Sequence, residues 1–432
     1  MEISLRYWKD LDPQEKQKLL SRSETNIQGV IPAVQKILDR VKEEGDKALY
    51  SYTNEFDKIS IDHLPLQVQP EEFIQANASL SQAVKEALDF AIDHTQTFHE
   101  IQRPKAMEML SLKPGLLAGE RATPIDSVGL YVPSGRGSFP SMLYMLAVPA
   151  QIAQVPRVVV VTPPGPEGKV DPAVLYACQK CGVHEVYRVG GAQAIGALTY
   201  GTESIKPVVK LTGPGSMYVT AAKRLVYSFI DVGLPAGPSE SMVLADDSAN
   251  PWNLSLDLLV EAEHGSDSQA LLVTDSKELA TAVKDNLRTL IKDLPEPRKT
   301  FTSDVLGGYG GILITDSIEE GAEVINEFAP EHLSLQTNEP FETLELIRNA
   351  GEILLGSNLP FSGANYATGA NAVLPTGGKA KTYGPVSVRD FMKYSSVVFA
   401  TPGGYQVLKD PVTTLCDYEG FPSHGNAFKK RK

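Results

Sequence analysis

The sequence predicts an α/β protein built on parallel sheets with covering helices. Three observations predict it: short β-branched runs recur from about residue 127, helical stretches separate them, and glycine turns sit where a strand hands over to a helix. In chain order, the first 100 residues are charged and helix-patterned. Amphipathic periodicity covers 31–44 and 81–99, no strand run has comparable strength, and these helices are expected to pack on a later sheet. Strands are then predicted over 127–132, 158–162, 185–189, 208–211, 242–245, 271–274, 312–315 and 353–355. Helices are predicted over 142–152, 172–181, 192–199 and 218–227, and an apolar helical pattern runs over 254–260. Pro235-Ala236-Gly237-Pro238 and Thr401-Pro402-Gly403-Gly404 punctuate the chain, and the part after about residue 386 reads as an appended piece.

The 432 residues are 42% hydrophobic and 22% charged, enough for more than one core and two or more domains. A net charge of −13 with an isoelectric point near 5.1 argues against nucleic-acid or anionic-membrane partners. The basic tail Lys429-Lys430-Arg431-Lys432 reads as a solvated end. The amino terminus lacks a basic, then apolar, leader pattern, and no run of 18 apolar residues occurs, so a cytoplasmic protein is expected. Cys178, Cys181 and Cys416 cannot build a disulfide framework. Cys178 and Cys181 have half-zinc-site spacing, but no second pair exists and they fall on a helical pattern, which assigns them to structure.

The tripeptide Pro330-Glu331-His332 carries the strongest chemical signal. Adjacent residues point in different directions, so a carboxylate and an imidazole placed this way suit two successive proton transfers at one carbon. The competing reading is a helix end with Glu331 in solvent and His332 starting an alternating strand. Glu261-Ala262-Glu263-His264 offers a second group: Glu261 and His264 share one helix face and could bind one metal ion, or His264 could serve the helix dipole. Gly190-Gly191-Ala192-Gln193 and Gly213-Pro214-Gly215-Ser216 could bring backbone N–H groups toward a cofactor pyrophosphate, or simply make turns. The fingerprint G-x-G-x-x-G is absent.

Asn365 in Gly363-Ala364-Asn365-Tyr366 and His424 in Phe421-Pro422-Ser423-His424 complete the pattern. Together with Ala236-Gly237-Pro238-Ser239-Glu240, Gly191-Ala192-Gln193-Ala194-Ile195 and Ala329-Pro330-Glu331-His332-Leu333, they resemble the histidinol dehydrogenase family, in the same order from about residue 25 to the end. The resemblance implies an oxidoreductase of amino-acid biosynthesis that uses Zn²⁺ and two NAD to take L-histidinol through its aldehyde to L-histidine. It implies two incomplete Rossmann-like domains and a homodimer that exchanges small terminal segments. The implied division is an amino-terminal helical segment (1–25), a large catalytic domain (26–130 and 241–385), an NAD-binding domain (131–240) and a carboxy-terminal segment (386–432) that completes the partner's site.

Carried over by position, His332 takes the alcohol proton and Glu331 activates water for attack on the aldehyde. Tyr131, Gln193 and Ser216 correspond to NAD contacts. Glu261, His264, Asn365 and His424 correspond to metal ligands; these four with Ser239, His332 and Glu419 correspond to substrate contacts.

The sequence departs from the family pattern at four positions. Glu261 stands where the family has Gln and Asn365 where it has Asp, so the carboxylate and amide are exchanged while the summed ligand charge is kept, and the metal is expected to be retained. Ala372 replaces a substrate-contacting histidine, a loss of about 1–3 kcal/mol if that contact was a buried hydrogen bond. Ser216 replaces an Asn near NAD, and Arg136 could bind an anionic substrate group or be an exposed turn residue. Three functions remain open: histidinol oxidation, the same oxidation of another small polar or anionic alcohol, or non-catalytic binding.

Overall fold

A computed structural model describes residues 2–21, 27–134 and 137–431. Arg136 lies outside the described residues. The strands are β1 (Leu5–Tyr7), β2 (Met107–Lys113), β3 (Leu116–Pro124), β4 (Val128–Tyr131), β5 (Val158–Thr162), β6 (Glu185–Arg188), β7 (Lys210–Thr212), β8 (Glu240–Ala245), β9 (Gln269–Thr274), β10 (Gly311–Ile314), β11 (His332–Gln336), β12 (Glu352–Leu355) and β13 (Met392–Ala400).

They form three sheets. The largest, ordered β1-β10-β9-β8-β11-β12, is parallel throughout. Strands β8, β9, β10 and β11 are buried on both faces, which is why they read as continuous apolar runs rather than alternation. Helix Pro251–Ala262 connects β8 to β9, and helix Ile318–Phe328 connects β10 to β11. Each starts on a residue whose side chain accepts backbone N–H groups, Asn250 and Ser317 respectively. Ala329 ends the second helix in the left-handed region at φ 55°, which turns the chain sharply into Pro330-Glu331.

The second sheet, β6-β5-β4-β7, is also parallel. Helices Ile27–Glu44, Asp46–Tyr52, Gly191–Tyr200 and Met217–Val226 share one hydrophobic cluster with it. Pro70–Ser79, Gln82–Glu100, Pro140–Ile152 and Pro172–Lys180 share another. The amino-terminal helices therefore do pack on a later sheet. That sheet is the four-stranded one, however, whereas the expected division had grouped 26–130 with the catalytic part. At the end of that sheet's edge strand β6, Arg188 is fully buried and binds Glu72 through both terminal nitrogens, at 3.0 and 2.5 Å, and the Gly168 carbonyl at 2.8 Å.

The third sheet, β13-β3-β2, is antiparallel. It leads into helices Pro402–Tyr418 and Pro422–Lys429, so the appended carboxy-terminal piece shares a sheet with residues 107–124. Strand β2 is exposed at nearly every position, so no alternation marked it. β1 was also unforeseen: the amino-terminal segment holds a three-residue strand before its helix Pro13–Ser21, and pairing with β10 at the sheet edge stabilises it.

Cys178 and Cys181 are buried, and burial pushes both thiols up, Cys181 to about 12, which suits the structural assignment. Among the described residues, no helix is long and apolar enough to cross a membrane.

Candidate active site

Strands β8, β11 and β12 begin side by side, and their first residues bring the chemistry together. In the parallel register His332 lies opposite Ser241 on one side and Glu352 on the other. His332 is 3% exposed and Glu331 7%, so the reading with Glu331 in solvent does not hold. The Glu331 carboxylate accepts the Glu240 backbone N–H at 2.9 Å, and its Oε2 lies 3.9 Å from His332 Nε2. The other ring nitrogen, Nδ1, is 3.0 Å from Glu352 Oε2. The Phe361 ring meets the imidazole edge-on at 5.9 Å.

Helix Pro251–Ala262 brings Glu261 to this group. Glu261 is 1% exposed, its Oε1 accepts a 2.7 Å hydrogen bond from Asn365 Nδ2, and its Oε2 is 3.4 Å from His264 Nε2. One turn earlier on the same helix, Asp257 accepts a 2.7 Å bond from Gln336 Nε2, so helix and strand β11 are tied at a second level.

Burial sets the electrostatics. It opposes the charge of Glu261, yet His332, His264 and hydrogen bonds from Asn365 and Ser239 hold that carboxyl below its ordinary value. Burial pushes Glu331 up to about 8, with His332 pulling the other way and Glu261 adding to the rise. For His332, burial favours the neutral ring, but Glu261, Glu331 and Glu352 outweigh it and push the imidazole up to about 10.

Of the predicted metal ligands, Glu261, His264 and Asn365 come together. Asn365 turns its Nδ2 to Glu261 and leaves Oδ1 buried without a hydrogen-bond partner. That orphaned oxygen, a buried carboxylate and an imidazole are donors that fit zinc. Glu419 is the cap residue just after the exposed helix Pro402–Tyr418, and His424 lies on the exposed helix Pro422–Lys429. Among the described residues, no three His, Cys, Asp or Glu side chains of one chain gather around a common metal position.

The predicted cofactor residues meet at a different place. The four-stranded sheet reverses its winding at β4, and the carboxyl ends of β4, β6 and β7 lead into Tyr131, Gly190-Gly191 and Gly213–Ser216. Such a switch point opens a crevice for a ligand. Tyr131 Oη accepts the Gly191 N–H at 3.0 Å, and burial pushes its phenol up to about 12. Gln193 is 1% exposed with its Oε1 unpartnered. Gly213 has φ 119°, and a Cβ there would come within 2.2 Å of the Tyr131 carbonyl oxygen, so only glycine fits. These features fit a dinucleotide. Ser216 is exposed and makes no side-chain cap on its helix. Ala372 is half-buried against the second-sheet core. Two surface hollows of about 300 Å³ share no residue with either group.

Sequence reasoning missed Glu352, Glu240, Asp257 and Gln336. Glu352 stood one residue before a predicted strand. Asp257 and Gln336 each lay in an element that was recognised, four residues from a candidate.

A model of the histidinol dehydrogenase family matches residues 20–432. The chain is 47% identical to histidinol dehydrogenase of Synechocystis sp., covering 98% of this chain and 97% of that one. It is 48% identical to a "histidinol dehydrogenase homolog" of Rhizobium meliloti over 98% and 93%. The crystal structure of histidinol dehydrogenase from Elizabethkingia anophelis superposes with a TM-score of 0.93 at 33% identity, covering 99% and 97%. Fold and sequence agree that the chain belongs to the histidinol dehydrogenase family of oxidoreductases.

Proposed function

We propose that the chain oxidises L-histidinol through the aldehyde to L-histidine, with NAD as acceptor and zinc at Glu261, His264, Asn365 and, from a second copy of the chain, His424. The observation that carries this reading is the buried Glu331–His332 pair, held at the mouth of β11 beside Glu261. When bound, zinc would polarise the substrate hydroxyl and offset the Glu261 charge that holds the His332 proton, and NAD would accept hydride. His332 takes the hydroxyl proton at Nε2. Glu331, its oxygen fixed by the Glu240 N–H and its carboxylate form favoured once the Glu261 charge that raises it is offset, then takes a proton from the water that attacks the aldehyde. Burial of both side chains keeps bulk water from competing. Tyr131, Gln193 and Ser216 line the cofactor crevice, and Ser239 and Glu419 serve the substrate.

Exposed apolar side chains on the third sheet and the carboxy-terminal helices, among them Leu110, Val398, Phe399 and Tyr418, support a homodimer in which this piece docks on a second copy. Glu419 and His424 would then reach the partner's site.

The test counts NADH formed per L-histidinol by zinc-loaded protein. Two NADH per substrate are expected, with a loss of at least about 10²-fold in His332→Asn. A folded, zinc-loaded protein giving no NADH from histidinol, but turning over a small anionic diol, would establish the second reading. Ala372 and the "homolog" names of several relatives favour that reading. Turnover of either alcohol excludes a purely binding role.

A further inference from the structure

Glu352 is tied to His332 more closely than any other carboxylate in the site, at 3.0 Å against 3.9 Å for Glu331. The two residues open adjacent parallel strands and stand in register, so their side chains share one face of the sheet. The Glu352 backbone N–H also bonds the Glu331 carbonyl at 2.9 Å, and the Gly351 N–H bonds Pro330 O at 2.9 Å. A Cβ on Gly351 would lie 2.6 Å from the Glu331 carbonyl oxygen, so glycine permits this close approach. Both side chains are more than nine-tenths buried, and Phe361 closes one edge of the ring. Backbone, burial and a charge-assisted hydrogen bond therefore fix one ring orientation.

We propose that Glu352 is the positioning residue of His332: its carboxylate accepts the Nδ1 proton, which sets the ring plane and leaves Nε2 as the nitrogen that faces Glu331 and the reacting hydroxyl. The arrangement is that of a carboxylate behind a working imidazole, assembled here from two parallel strands. Glu352 need not touch substrate. It acts through the ring, and this inference rests on the proposed alcohol oxidation.

The test has a structural and a kinetic arm. In zinc-loaded protein labelled with ¹⁵N-histidine, the wild type should show a low-field Nδ1–H signal that disappears in both Glu352→Ala and His332→Asn. This arm reads the proposal without turnover, so it is separable from failure of the functional reading, which the wild-type NADH assay decides. Kinetically, Glu352→Ala should lower kcat by on the order of 10²-fold, with KM little changed. Glu352→Asp, which keeps a carboxylate to accept the Nδ1 proton, should recover part of the loss, whereas Glu352→Gln can turn its amide N–H to Nδ1, hold the opposite tautomer and stay slow. A wild type lacking the Nδ1–H signal overturns the proposal. So does Glu352→Ala with wild-type kcat.

Discussion

Replacing Asp257 by Asn should stabilise the six-stranded half of the molecule at alkaline pH and leave it unchanged in acid. Asp257 is 6% exposed, and its bond from Gln336 Nε2 is 2.7 Å long. Burial pushes its carboxyl from the ordinary 3.8 up to about 6, with the Gln336 hydrogen bond opposing the shift. The folded state thus prefers the neutral acid. Below pH 3.8 the group is protonated in both states and contributes no penalty. Between pH 3.8 and 6 the unfolded carboxyl ionises while the folded one stays neutral, and above 6 the folded protein carries a buried charge that the unfolded chain solvates freely. A rise of roughly two units corresponds to a penalty of about 3 kcal/mol, fully developed at pH 8. Asn keeps an oxygen for Gln336 and removes the charge. Both tryptophans, Trp8 and Trp252, pack in or on this half, so urea unfolding followed by tryptophan fluorescence reports on it. Asp257→Asn should exceed wild type by about 2–3 kcal/mol at pH 8 and match it at pH 4. An equal change at both pH values would refute the reasoning, because it would place the effect in packing rather than ionisation.

Glu72→Gln should destabilise the four-stranded half by about 3 kcal/mol, near the lower end for a broken buried ion pair because Glu72 is 22% exposed while Arg188 is fully buried. Burial opposes the Glu72 charge, but the Arg188 bonds hold its carboxyl below the ordinary value, so this stabilisation is present at neutral pH and lost as pH falls through the folded pKa. Thermal melts of mutant and wild type should converge in acid, and a constant gap would count against the ion pair. For the exchanged metal ligands, Glu261→Gln should weaken zinc binding at least about tenfold in equilibrium dialysis, and adding Asn365→Asp should restore it, since Glu261 and Asn365 share a 2.7 Å bond that works with either partner as the carboxylate. A double variant no tighter than the single one would show that the positions are not interchangeable.

The sequence by itself determined the class, most of the strands and covering helices, and which short segments carry chemistry. Each of these is written locally. Buried parallel strands such as Met242–Ala245 are continuous apolar runs, helices such as Ile27–Glu44 repeat every third or fourth residue, and Glu331 and His332 are neighbours in the chain. It did not mark β1, β2, β3 or β13, which owe their extended form to pairing with β10 or with one another rather than to any apolar period of their own. Only the tertiary structure decided that Glu352 stands behind His332 and that Asn365 turns its amide to Glu261 across 104 residues. It also decided that residues 27–52 belong to the β4–β7 sheet. Those partnerships follow from strand order and parallel register, which crossover connections set over long distances and no local period encodes. The proton affinities followed the same rule: Glu331 is an ordinary carboxylate in the sequence, and the loss of water around it in the folded protein is what raises it to about 8.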